Sequence, residues 1–370
     1  MDKKIVVVVV VVVIIAVMTI FNNPSDTIIP LPEPEYLNNN DSKKGVQTIV
    51  DNLDAPWAID ISRDDRIFFT EREGKVRVIN QGKMLEEPLV YINTDQIGSS
   101  SGLLGLALDP DFINNNLIYI FYTYIDNNNL FGKVLSLKEK DNKIIDSKII
   151  IDKIPASLYN NGGRIEFGPD NKLYISIGDA TRPDLAQNMS SLAGKILRIN
   201  PDGTIPEDNP FMNSPVYSYG HRNVQGMAWD PDTKQMYAAE QGHGGFDEIN
   251  LILAGKNYGW PDSKCKSNKD TLSENALFCF NPAIAPGGIV FSKSDFLGYK
   301  NDLILTTLKG THLRQIDLDS KEQNNILVGY GRLVDIVESN NGELYILTSN
   351  TDGSGIIQKN DDKILKITSP

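Results

Sequence analysis

The chain has 370 residues, 41% of them hydrophobic and 23% charged, enough for one large domain or two small ones around a sizeable core. Its formal net charge is −12 and its isoelectric point lies near 4.8, with no Lys/Arg cluster. That balance argues against a nucleic-acid partner, which would need a basic face.

The first predicted element is apolar. After "MDKK", residues Ile5 to Phe21 form seventeen residues without a charge. A helix of that length spans roughly 25 Å, slightly short of a hydrocarbon core about 30 Å thick. Lys3 and Lys4 precede the run, so the positive-inside rule predicts a single-pass membrane anchor over 1–21 with the body of the protein outside the cell. A cleaved signal peptide of a secreted protein is the alternative, although "NNPSD" follows directly and supplies no A-x-A cleavage site. Residues 22–45 hold four prolines and many Asn and Asp. They read as an extended, disordered tether. Asn40-Asp41-Ser42 and Asn188-Met189-Ser190 fit the N-glycosylation pattern, which matters only for an exterior chain.

From Val46 to Pro370 a unit repeats: an apolar strand, a Pro/Asp/Gly turn, and a second strand alternating in period two. The copies read "WAIDISRDDRIFFTE", "LLGLALDPDFINNNLIYIFYTY", "RIEFGPDNKLYISIGD", "GMAWDPDTKQMYAAEQG" and "VDIVESNNGELYILTSN", with a degenerate "GGIVFSKSDFLGYKNDLILTTL" before the last. Several precede a third strand, as in "KVRVI", "KILRI" and "KILKI". No long apolar pattern at helical spacing follows Phe21. Six units over this span give about 54 residues each, the size of a four-stranded blade with its loops. The prediction is an all-β, six-bladed β-propeller. A β-sandwich needs far fewer strands, and the unit is too long for a hexapeptide solenoid. Ligands of such a fold gather at one end of the channel, where the loops "NNGGR", "SYGHRNVQG", "AEQGHGGFDEINLI", "TLKGTHLRQI" and "GYGRLVDIV" converge.

Cys265 and Cys279 are the only cysteines, fourteen apart. Outside the cell a disulfide between them is favoured over two free thiols. Two cysteines with no histidine nearby cannot complete a zinc shell.

Taken in order, "GLLGLALDPDF", "NGGRIEFGPDNKLY", "GKILRINPDG", "YGHRNVQGMAWDP", "DEINLILAGKNYGWP", "APGGIVF" and "LKG" resemble the quinoprotein sugar dehydrogenases. These are the soluble glucose and aldose sugar dehydrogenases, with their sorbosone dehydrogenase-like relatives, that use pyrroloquinoline quinone (PQQ). The resemblance runs from Leu53 to the C-terminus and implies a six-bladed propeller. It also implies a cofactor with three carboxylates, a bound Ca²⁺ that polarises it, hydride removal from C1 of an aldose, and a histidine that takes the hydroxyl proton. By the same resemblance Arg222 and Asn223 of "GHRN" contact the cofactor, together with Lys309 of "TLKG", Arg332 of "GRLVD" and Arg164 of "GGR". Gln241 and Gly242 of "EQG" lie in the loop whose backbone carbonyls hold Ca²⁺, with Gly242 and His243 as the ligand positions. Carbonyl oxygens suit that hard cation.

Four positions depart from the family pattern. Asn160 stands at the catalytic histidine, and an amide cannot take a proton near neutral pH. Val334 replaces the second arginine of an Arg-x-Arg-Asp motif, Ser100 stands where Gln or Glu is usual, and His243 replaces a proline. Of the three histidines, His221 reads as orienting its own loop and His312 as a surface residue. His243 is a weak candidate to substitute for the missing base. Two functions follow. One is a membrane-tethered, exterior PQQ- and Ca²⁺-dependent dehydrogenase of an aldose or alcohol, slowed by Asn160 and passing electrons to an unidentified acceptor. The other is a non-catalytic propeller of the same descent that holds a ligand or partner. A plain scaffold is a blander third. A lactonase-like Ca²⁺ propeller ranks low, because its side-chain ligands cannot be placed together here.

Overall fold

The computed structural model describes residues 45–96, 98, 100–266, 272–293 and 298–368. The expected anchor and the tether up to residue 44 lie outside the described residues. Among those described, no helix is long and apolar enough to cross a membrane. The sequence from Gly45 onward folds into six antiparallel sheets, five of four strands and one of five.

Each repeat supplies the first two strands of a blade. In chain order the first strands are Pro56–Ile61, Leu103–Leu108, Gly162–Phe167, Val224–Trp229, Pro286–Phe291 and Leu333–Glu338. Each pairs antiparallel with the strand that follows it. The sixth blade is closed by the start of the described chain, because Gly45–Val50 pairs with Ile364–Thr368. This ties the two ends of the propeller together. The only α-helix among the described residues is Phe112–Asn115, four residues long.

The second strands, expected to alternate, are instead buried along their whole length, as in Leu173–Ile177 and Met236–Glu240, because a blade is covered on both faces by its neighbours; every residue of Leu103–Leu108 is buried as well. Aromatic edge-to-face pairs join successive blades: Phe68–Phe112 at 5.3 Å, Tyr119–Phe167 at 5.2 Å, Tyr174–Trp229 at 5.0 Å and Tyr237–Phe291 at 5.3 Å. Each adds about 0.5–1.5 kcal/mol beyond its buried area.

One irregularity recurs in all six blades. The register between first and second strand slips near the start of the first strand, for example between Pro56 and Ile59 and between Gly162 and Ile165. The slip frees a backbone amide, and a hydroxyl on the second strand accepts it. Thr70 Oγ1 takes Ala58 N–H at 3.1 Å, and Ser176 Oγ takes Arg164 N–H at 3.0 Å. Both hydroxyls then donate to the next blade, Thr70 to Leu104 O at 2.7 Å and Ser176 to Val224 O at 3.0 Å. A bulge re-aims the side chains beside it, and here those side chains include Arg164 and Asp335.

Candidate active site at one end of the channel

The pairing register decides which residues meet. Gly162 lies opposite Ile177, Val224 opposite Glu240, Pro286 opposite Thr307 and Leu333 opposite Thr348. Segments that precede a first strand and segments that follow a second strand therefore emerge at the same end. Asn160, Arg222, Asn223, Gln241, Gly242, His243, Lys309 and Arg332 all belong to such segments. Arg164, in mid-strand, lies farther down the channel.

Around the junction of the third and fourth blades these residues form one network. Asn223 Oδ1 accepts the Gly162 amide at 3.1 Å, and Asn223 Nδ2 donates to Gln241 Oε1 at 3.2 Å. Gln241 Nε2 donates in turn to Pro286 O at 3.0 Å, reaching the fifth blade. Arg222 Nη1 donates to the carbonyls of Gln241 at 2.9 Å and Gly242 at 3.1 Å. Its guanidinium lies 5.7 Å from the Trp260 ring. His243 is exposed, its ring 5.5 Å from that of Trp260.

Asn160 adopts a left-handed backbone, φ 57°, and its Nδ2 donates to Asp179 Oδ1 at 3.0 Å. Asp179 is 1% exposed. It also accepts Thr181 N–H at 2.8 Å on Oδ1 and Trp260 Nε1–H at 2.9 Å on Oδ2. Gly178 makes this approach feasible, since a Cβ there would sit 1.9 Å from the Asn160 carbonyl oxygen. Asp179 and Trp260 were missed in reading the sequence, although both sit inside quoted motifs, at the end of "SIGD" and in "NYGWP". A lone Asp just after the buried strand Leu173–Ile177 is the signal that would have found the first.

His221 is fully buried between Ser218 Oγ and Glu240 Oε2, 2.9 Å from each, and stacks on Tyr258. Ser, His and Glu in this order form a hydrolytic-looking chain, but Ser218 is 0% and Glu240 4% exposed, so no substrate reaches them. Their work is local: Glu240 Oε1 accepts the Arg222 amide. His312 is not a surface residue. It is 7% exposed because the Thr307–Thr311 turn folds over it, with Nδ1 against Gly310 O at 2.6 Å, and burial pushes its pKa down.

The remaining positions stand apart. Lys309 is exposed and forms no ion pair with a described residue. Arg332 is held by Asp352 at 2.8 Å and by Ser349 O at 3.3 Å. Arg164, 2% exposed, pairs with Asp335 at 2.6 Å over the Trp57 ring. Val334 packs in the core at 3% exposure, and the Ser100 carbonyl accepts Asn161 Nδ2 at 2.6 Å. Cys265 and Cys279 form a disulfide with Cα atoms 5.6 Å apart.

The two implied groups fit this site unequally. A planar polycarboxylate finds a cation with no carboxylate on it, Arg222, lying over the Trp260 ring. A Ca²⁺ needs six to eight oxygens at 2.3–2.6 Å. Here the Gln241 and Gly242 carbonyls already converge on Arg222. The nearby Asp247 is turned away, accepting the amides of Gly242 at 3.0 Å, Ile284 at 2.8 Å and Ala285 at 2.7 Å. The calcium site expected at Gly242 and His243 does not fit with Arg222 in this position.

Comparison with known proteins agrees with this architecture. A family model described as glucose/sorbosone dehydrogenase matches residues 53–358. The chain is 30% identical over 336 residues to the aldose sugar dehydrogenase YliI of Escherichia coli, covering 83% of this chain and 91% of that one. It is 33% identical over 273 residues to quinoprotein glucose dehydrogenase B of Acinetobacter calcoaceticus, covering 63% of this chain and 56% of that one. The PQQ-bound aldose sugar dehydrogenase of Streptomyces coelicolor superposes with a TM-score of 0.80 at 31% identity, over 88% of this chain and 98% of that one. Six blades closed by the N-terminal strand, the "GHRN" and "NYGWP" loops joined through Asp179 and Trp260, and these matches have one common conclusion: the chain belongs to the glucose/sorbosone dehydrogenase family.

Proposed function

We propose that the chain is an oxidoreductase that takes PQQ at the Arg222–Trp260 end of the channel and oxidises the anomeric hydroxyl of an aldose. The carrying observation is Arg222, a permanent cation bonded only to carbonyl oxygens beside an indole ring, next to an Asn–carboxylate pair. That combination suits a flat anion with a polyol against it. PQQ, when bound, supplies the acceptor for the hydride from C1. The chain's own residues neutralise, orient and handle the proton. Lys309 offers a second cation at the rim. Asn160 Nδ2 is committed to Asp179, so Oδ1 remains the acceptor that can orient a sugar hydroxyl. Of the three histidines, only His243 is exposed and free to receive the hydroxyl proton. The apolar run Ile5–Phe21 and the Cys265–Cys279 disulfide support a chain that works outside the cytoplasm, held at the membrane by its N-terminus.

The test is calorimetric titration of PQQ into the full chain, followed by dye reduction with a panel of aldoses. Binding with slow turnover is expected. His243→Ala should then lower turnover, and Asn160→His should raise it, each by about 10² to 10⁴, the usual contribution of a general base. Absence of PQQ binding would sink this reading. Binding without turnover would favour the second reading, a ligand-holding propeller, for which Asn160 at the base position is the supporting observation.

A further inference from the structure

Arg222 is fixed more firmly than a loop arginine needs to be. Its amide donates to Glu240, which is itself held by buried His221, and its carbonyl accepts the Asp179 amide at 2.8 Å. The loop opposite is equally constrained. Gly242 N–H is tied to Asp247 at 3.0 Å, and a Cβ on Gly242 would fall 1.6 Å from Phe246 O. The chain therefore passes closely there and turns the Gln241 and Gly242 carbonyls toward Arg222. Only Nη1 is used by them. Nε and Nη2 donate to no described residue, which leaves one edge of the guanidinium for a bidentate anion.

We propose that Arg222 is the built-in cation of this site. It takes the place that the two carbonyls would give a divalent metal, and the site binds a small planar polycarboxylate without calcium. A divalent ion on the same two oxygens would face a fixed like charge and would bind only with Arg222 withdrawn. The ligand half of this proposal rests on the function proposed above; the calcium half stands independently.

The experiment has two arms on the full chain, stripped of metal with EGTA. In the first, calcium chloride is titrated into the wild-type chain alone by calorimetry in a screening concentration of KCl. No saturable event in the micromolar range is expected; one tightly bound Ca²⁺ per chain would overturn the proposal. In the second, PQQ affinity is measured in millimolar Ca²⁺ and in EGTA. Equal affinities are expected, with a loss of about 10- to 100-fold in Arg222→Met under both conditions, the size of one charged hydrogen-bonding group. An affinity that collapses in EGTA while Arg222→Met is harmless would overturn it. Should Arg222→Met fail to fold, Arg222→Lys keeps the charge and must keep the EGTA insensitivity. If PQQ binds in neither buffer, the proposed function fails and the calcium arm alone decides this inference.

Discussion

Asp335→Asn offers the sharpest test of how the channel is held. The Arg164–Asp335 pair is buried on both sides, with side chains 2% and 4% exposed and Nη1 2.6 Å from Oδ2. The same Oδ2 accepts the Ile59 amide at 2.9 Å, so one carboxylate joins the first, third and sixth blades. Beyond Asp335, Arg164 has the Gln225 carbonyl at 2.9 Å and the Trp57 ring at 4.4 Å, while Nη2 has no partner. Asparagine keeps the shape, which matters because Gly288 abuts Oδ1, but it removes the carboxylate paired with the buried guanidinium and leaves nearby only the Glu166 carboxyl, whose pKa burial pushes well up. Breaking a buried pair in this way costs about 3–5 kcal/mol. At about 2.1 cal/mol/K per residue, a propeller of roughly 320 residues has an unfolding entropy near 0.7 kcal/mol/K, so Tm should fall by about 6 °C. Removing both charges is cheaper than removing one, and Arg164→Met with Asp335→Asn should recover most of the loss, Met packing on Trp57. Urea and thermal unfolding of the two single variants and the double variant measure the cycle. A single Asp335→Asn within about 1 kcal/mol of wild type, or a double variant less stable than both singles, would refute the reasoning.

Two further outcomes follow from the same structure. Burial pushes Asp60 up to about 6, against the pull of the Leu108 and Ile61 amides. Its folded pKa lies above its unfolded one, so the associated stability is complete below about pH 4 and is lost as pH rises through about 6. Two pKa units correspond to about 3 kcal/mol. Asp60→Asn should therefore gain on wild type by about that amount between pH 4 and pH 7, read from urea midpoints; parallel curves would show that Asp60 does not titrate in the fold. Reducing the Cys265–Cys279 disulfide, which closes a loop of fourteen residues, should cost about 3 kcal/mol and lower Tm by about 4 °C. An unchanged Tm in reductant would mean that the loop is held by other contacts, such as the Cys265 amide to Glu248 at 2.6 Å.

What could be read from sequence, and what could not, divides along the range of the interactions. The six units were legible because a blade's first two strands are joined by local turns with chemical signatures. In "GPDNK", Gly168 donates to Lys172 O at 3.0 Å and Asn171 supplies the positive φ, all within five residues. The strand Gly45–Val50 was not legible. "GVQTIV" is short and ordinary, and only its partner Ile364–Thr368, at the far end of the chain, makes it a strand. The site divides in the same way. Its loop residues could be named because their motifs are contiguous, and the register does bring Asn160, Arg222, Asn223 and Gln241 to one end. The pairings that decide their chemistry join distant positions: Asp179 with Trp260, 81 apart, and Arg164 with Asp335, 171 apart. A motif shows that an arginine is present but not which oxygens it faces. Arg222 illustrates the difference, since "GHRN" and "EQG" each point to a cofactor or a metal when read alone. Their meeting puts the guanidinium on the two carbonyls that the resemblance assigns to a metal. Asn160 follows the same logic. Asp179 carries three donors, and one of them is the Asn160 amide at the position where the resemblance implies a histidine. Asn160 thus keeps a bond to Asp179 but offers no group that takes a proton, and the His243→Ala and Asn160→His pair measures whether the proposed transfer runs through His243.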